Sequence, residues 1–231
     1  MKKTLLFLVA LVVLGIPATA LGDTFTFHPP ATAANQGNGG ANQFDLDHHN
    51  AYTWQISNVN LAGQTITGAT ITFHNISNWD SNANMLFVHL LDSATNATVG
   101  SFVDASGTPV PSNQIADNFA GTLYLSNPLV AAGTANTFLF DHSFTTNPSS
   151  YTYTFTQAQL DALTAYLLNG NNVAFGFDPD CHFWNNGITF TFTTTPPTSV
   201  PEPATMLLLG SGLAGLYLKR QRKQNKVNCE G

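Results

Sequence analysis

No lysine or arginine stands between Lys3 and Lys219. All seven basic residues of the 231-residue chain lie at its ends: Lys2 and Lys3 at one, Lys219, Arg220, Arg222, Lys223 and Lys226 at the other. Of thirteen acids, all but Glu202 and Glu230 are aspartates between Asp23 and Asp180. A domain folded from that middle has no Lys or Arg with which to form salt bridges. Its aspartates must therefore be protonated, solvated, held by backbone N–H groups, or bound to a cation. Nor can it neutralise phosphates, which excludes nucleic acid as a partner.

The same placement reads as topology, because Lys and Arg beside apolar segments stay on the cytoplasmic side of a membrane. At the N-terminus, Lys2 and Lys3 precede the apolar run 4–16, Pro17 and Ala18-Thr19-Ala20, a small-x-small pattern. Residues 1–20 are thus expected to be a secretory signal peptide removed by signal peptidase, the run being too short for a stable span. At the other end, Val200-Pro201-Glu202-Pro203 leads into a largely apolar stretch of fifteen residues, 204–218, and then the basic cluster KRQRK. As a helix those residues cover about 22 Å of a hydrocarbon core of roughly 30 Å. Lys219, Arg220, Arg222 and Lys223 would snorkel to the cytoplasmic headgroups and stop transfer. The two prolines hold Glu202 extended and accessible. The expected order is a signal peptide (1–20), an exported domain (21–192), a Thr/Pro linker (193–203), a transmembrane helix (204–218) and a cytoplasmic tail (219–231).

In its motif Val200-Pro201-Glu202-Pro203, its apolar segment and its basic cluster, the C-terminus resembles the PEP-CTERM sorting domain of bacterial exported proteins. The resemblance covers about the last 30 residues, and the tail 224–231 continues past the point where many members stop. It implies recognition by an exosortase, a membrane cysteine protease that cleaves at or near the motif. The protein would then be anchored transiently in the inner membrane before release or transfer to the cell surface. It also implies a Gram-negative source that makes exopolysaccharide, a potential partner.

The middle is rich in Asn, Thr, Ser, Gly and Phe. Short alternating apolar runs at 24–28, 52–57, 65–75, 85–91, 122–125, 137–144, 151–155, 173–177 and 188–194 read as strands separated by turn residues. They predict an all-β domain, an antiparallel β-sandwich of jelly-roll type, with a barrel as the alternative. One short helix is expected: Thr156 with Gln159 forms a capping box, Leu160, Leu163 and Leu167 share a face, and Asn169-Gly170 offers a left-handed stop. Such a helix would close an end of the sandwich or cover a sheet edge. Cys181 and Cys229 would lie on opposite sides of the membrane, so no intramolecular disulfide is expected. Cys181 then reads as a buried thiol or one that pairs with another chain.

Two stretches concentrate ligating groups. FDLDHHN (44–50) carries Asp45, Asp47, His48, His49 and Asn50, and FDPDCHFWNNG (177–187) carries Asp178, Asp180, Cys181, His182, Asn185 and Asn186. Each spaces two carboxylates two residues apart, as Ca²⁺ loops do, although neither has the closing Glu or the central Gly of an EF-hand. Three readings are open. Asp45, Asp47, Asp178 and Asp180 bind Ca²⁺ with help from His48, His182 or Asn185; the histidines and Cys181 hold a transition metal; or the aspartates cap solvated turns. Trp54, Trp79 and Trp184 among many amides suggest a Ca²⁺-dependent carbohydrate-binding module as one alternative function. A surface hydrolase is another, built on Asp47-His48 or Asp141-His142, but the domain has no glutamate and no Gly-x-Ser-x-Gly or His-Glu-x-x-His motif. The expected function is that of a non-enzymatic, exported cell-surface or extracellular-matrix protein.

Overall fold

The computed structural model describes residues 22–30, 46–47, 50–103, 117–120, 128–195, 210–215, 217 and 219–220. Leu21–Thr195 forms one compact unit. Its strands are β1 (Thr24–Phe27), β2 (Asn50–Ser57), β3 (Thr65–Asn78), β4 (Met85–Leu91), β5 (Val99–Val103), β6 (Asn136–Ser143), β7 (Ser149–Thr154), β8 (Asn172–Pro179), β9 (Phe183–Trp184) and β10 (Ile188–Thr195). A single helix, α1 (Gln157–Gly170), is present among the described residues of this unit. The strands make two antiparallel sheets. Sheet 1 has the order β1-β10-β3-β7 with β9 paired to the end of β3, and sheet 2 has the order β5-β2-β8-β4-β6.

Alternation explains why these segments pair as they do. In β1 and β10 phenylalanine and threonine alternate, so Phe190 and Phe192 turn to the core while Thr191 and Thr193 turn out. Ile71 and Phe73 of β3 join them, and Trp54, Ile56, Val88, Leu90, Phe175 and Phe177 face them from sheet 2. Ring contacts cross the interface: Phe175 lies 4.8 Å from Phe190, and Phe73 lies edge-on to Phe177 at 5.9 Å. On the outer side of the sheets the period-2 rule leaves threonine rows. Thr26, Thr191, Thr70 and Thr154 are successive register partners across four strands, and hydroxyls meet at 3.3 Å between Thr26 and Thr191 and at 2.9 Å between Thr72 and Thr152.

The middle strands of sheet 2, β2, β8 and β4, are largely buried on both faces. Their outer side carries the small residues Ala51 and Ala174 beside Leu91, against which Phe119, Leu129 and Val130 pack. The ring of Phe119 lies over Gly176, where a Cβ would come within 2.9 Å of it. A strand buried on both faces reads as a near-continuous apolar run, as Val173 to Phe177 do.

Helix α1 begins as expected. Gln159 Oε1 accepts the Thr156 N–H at 2.9 Å, and Leu160, Leu163 and Leu167 are buried. Gln159 Nε2 also donates to the carbonyls of Phe138 and Leu139, stitching the helix to β6. The stop falls later than Asn169-Gly170: Gly170 stays helical and Asn171 takes the left-handed conformation at φ 55°, its N–H donating to Leu167. Asn tolerates that conformation because its short polar side chain can hydrogen-bond locally.

Other expectations shift too. β5 and β9 were not foreseen, and the run 122–125 lies outside the described residues. The linker was expected from residue 193, but Thr193, Thr194 and Thr195 are the last residues of β10. They stay in the sheet because Thr194 is buried and exchanges hydrogen bonds with Asp23, its N–H donating to Asp23 O at 2.9 Å. Beyond this unit, residues 210–215, 217 and 219–220 are helical and exposed, Lys219 and Arg220 among them. No helix among the described residues is long and apolar enough to cross a membrane. The signal segment 1–20, Val200 to Pro203, Arg222 and Lys223 lie outside the described residues.

Candidate functional site

The two ligand-bearing stretches, far apart in sequence, meet at one end of the domain. Leu46 pairs with Phe183 in an antiparallel bridge, with N–H to O distances of 3.2 and 2.8 Å in the two directions. One residue further in that register, Asp47 falls opposite His182. On the other side of β9, Ser77 is opposite Trp184, Asn78 is opposite Phe183, and the Trp79 N–H donates to His182 O at 2.9 Å. Leu46 and Phe183 are fully buried and pin this corner to the core. The residues between them in the alternation point outward: Trp79 is 66% exposed and Trp184 37%, and the His182 ring lies 5.0 Å from that of Trp184.

The expected ligands have individual fates. The Asp47 N–H donates to Tyr52 Oη at 2.9 Å. Asp178 is buried, and its carboxylate accepts the backbone N–H of Asn118. Asn185 is buried and accepts the Gly187 N–H at 2.9 Å, shaping the turn into β10. Asp180 is half-buried, its N–H donating to Met85 O. Burial pushes its carboxyl above the usual aspartate range, a backbone hydrogen bond from Met85 opposes this, and the charge of Asp117 adds to the rise. Cys181 is a buried free thiol. Burial pushes it up; a backbone hydrogen bond at His182 opposes this, and the charges of Asp80, Asp180 and Asp47 add to the rise. A thiol whose ionisation is opposed in this way is a poor nucleophile.

Asp45, His48 and His49 lie outside the described residues, and among the described residues no group of three or more His, Cys, Asp or Glu side chains is arranged to hold a metal ion. Trp54, expected with the exposed rings, is a core residue 5.5 Å from Phe175. Its neighbours Tyr52 and Ile56 are buried on the same alternation. The adjacent pair Asp141-His142 is divided, with Asp141 exposed and His142 stacked on Tyr151 at 4.2 Å. Burial holds His142 below the usual histidine range, against the charge of Asp141.

Two polar clusters went unforeseen. In the loop after β3, Asp80 accepts the Asn82 N–H, Asn82 Nδ2 and Asn84 Nδ2 at 2.7 to 2.9 Å, and Asn78 Nδ2 donates to Asn82 O. The even spacing of Asn78, Asp80, Asn82 and Asn84 is the signal that could have marked it. The second lies on the outer side of sheet 2: His89, buried, has Nε2 2.7 Å from Asp117 Oδ2 and Nδ1 3.3 Å from Asn136 Oδ1. Asp117 Oδ1 accepts the Phe119 N–H.

Residues 199–223 match the model of the PEP-CTERM protein-sorting motif. No curated protein and no solved structure gives a significant match to the chain.

Proposed function

The chain carries a PEP-CTERM sorting motif and is thereby marked for export and for processing by an exosortase in the membrane, and from this premise we propose that its two-sheet domain is a non-enzymatic component of the cell surface or extracellular matrix. The observation that carries the reading is the motif's place, at the C-terminal side of a domain that contains no Lys or Arg. In this reading residues 204–218 hold the chain briefly in the inner membrane, Lys219, Arg220, Arg222 and Lys223 face the cytoplasm, and cleavage near Glu202 frees the domain for the surface or an exopolysaccharide matrix. The fold fits a durable extracellular module. The jelly-roll reading is supported by the sheet orders with β5 and β9 set aside, in which all chain neighbours except β4 and β6 lie in different sheets.

The test is Glu202→Ala in a host that expresses an exosortase, with an epitope followed by fractionation and immunoblot. The expected result is a shortened wild-type chain at the surface or in the medium and a full-length variant retained in the inner membrane. A variant clipped and delivered like the wild type would sink the proposal.

A Ca²⁺ site is a second reading, favoured by the Leu46–Phe183 bridge that joins the stretches of Asp47 and Asp180 in a domain without basic side chains. Ca²⁺ at a hundred times its dissociation constant would stabilise the fold by roughly 2.7 kcal/mol. A melting midpoint unchanged between EDTA and millimolar Ca²⁺ would remove this reading.

A further inference from the structure

We propose that the outward face formed by Trp79, His182 and Trp184 is a docking platform for a neutral polysaccharide. The inference deepens the surface-protein reading by naming a ligand class, and rests on that reading only for where the polymer is met.

The platform is built by register. Phe183 and Asn78 turn inward and are buried, so Trp79, His182 and Trp184 turn outward together on neighbouring segments. Large aromatic side chains lose contact with apolar partners when left in water, and Trp79 is two-thirds exposed on a corner otherwise pinned to the core by Leu46 and Phe183. A pyranose has a flat C–H face and a rim of hydroxyls. Ring faces take the first, and the exposed Ser81 and Asn186, each two residues from a tryptophan, supply donors and acceptors for the second.

Charge narrows the class. An anionic polymer would need Lys or Arg, and there is none between Lys3 and Lys219. A cationic one would need outward carboxylates; that of Asp80 is turned into its own loop by three hydrogen bonds, which leaves the half-buried Asp47 opposite His182 as the one acid in register with the platform among the described residues. Area disfavours a protein partner. Among the described residues of the domain, the other exposed large apolar side chains, Phe138 and Leu168, belong to β6 and α1, and two rings among polar residues fall short of the roughly 1,000 Å² that a specific protein interface needs. The sheet leading to the platform suits an extended neutral chain: its outer rows, Thr26-Thr191-Thr70-Thr154 and Thr189-Thr72-Thr152, hold hydroxyls and no carboxylate.

The test titrates the full chain in detergent with cellohexaose, mannohexaose, hexaglucosamine and polygalacturonate, following tryptophan fluorescence and sedimentation. A neutral hexaose should bind, Trp79→Ala and Trp184→Ala should each weaken it about tenfold, and Leu168→Ala should leave it unchanged. Binding of hexaglucosamine or polygalacturonate alone would overturn the proposal. So would neutral binding indifferent to both Trp variants, no binding at all, or a dimer that Trp79→Ala dissolves. None of these outcomes bears on cleavage at Glu202, so failure here and failure of the sorting reading are separable.

Discussion

Gly176 is the position where a single methyl should do the most damage. A Cβ built there lies 2.9 Å from two ring carbons of Phe119 and 3.0 Å from a third, about half an ångström inside ordinary contact. The ring cannot simply retreat. Phe119 is fully buried between sheet 2 and Leu129 and Val130, and its neighbours Asp117 and Asn118 are tied to His89 and Asp178. Overpacking of this kind costs about 1–3 kcal/mol. For Gly176→Ala we expect about 2 kcal/mol, a fall in Tm of about 4–8 °C for a chain of this size. Urea unfolding followed by far-UV circular dichroism measures it, and the double mutant makes the test specific. Phe119→Ala alone should cost about 3–5 kcal/mol. Once the ring is gone, Gly176→Ala should turn neutral or stabilising by up to about 1 kcal/mol, because alanine narrows the unfolded ensemble. An equal penalty for Gly176→Ala with and without Phe119 would refute the reasoning, since the cost would then come from the strand rather than from the ring.

Asp180 and Asp117 offer further tests. Burial raises the Asp180 carboxyl above its unfolded value, so this group favours folding while protonated, at pH below the ordinary aspartate range, and that contribution is lost as pH rises through the folded value. Asp180→Asn should therefore raise the melting midpoint at pH 7 in EDTA, with the gain shrinking on acidification; a loss of stability in EDTA at pH 7 would contradict this. If Ca²⁺ binds, the same variant should lose the wild type's response to it. Asp117→Ala removes the 2.7 Å partner of a buried imidazole and should cost about 1–3 kcal/mol by denaturant titration, more than Asp161→Ala on the exposed side of α1.

Some of this fold was legible because its strands obey local rules. Phe and Thr alternate in β1 and β10 so plainly that inner and outer faces follow from the letters. β5 was missed because Gly100 and Ser101 interrupt the pattern, and Gly100 is explained by what lies over it: a Cβ there would run into the Asn96 side chain and meet Leu129 at 2.9 Å. β9 is two residues long and exists through its pairing with β3 and Leu46, contacts of long sequence separation that no local window contains. The candidate site divides in the same way. The aspartate pairs could be read from spacing, but the joining of their two stretches by the Leu46–Phe183 bridge could not. Trp54 was separable in principle, since Tyr52, Trp54 and Ile56 repeat with the period of a buried strand face, whereas Trp79 follows the left-handed Asn75, where β3 shifts register.

The lack of Lys and Arg, with which the chain began, ends as a statement about how the domain holds together. Most folds pair surface carboxylates with basic side chains, yet exposed pairs contribute only about 0–1 kcal/mol and weaken in salt. This domain distributes the same task over neutral groups. Threonine hydroxyls meet across sheet 1, Gln159 ties α1 to β6, and Asn78, Asn82 and Asn84 close the Asp80 loop. Where a carboxylate is buried, it takes a backbone N–H, as Asp178 does from Asn118, or an imidazole, as Asp117 does from His89. Cross-strand threonine pairs stabilise a sheet without presenting charge on either face. The face that presents Trp79 and Trp184 can then be hydroxyl- and amide-lined without weakening the fold beneath it. Replacing those threonines with charged residues would change what the face can meet before it changed whether the sheet forms.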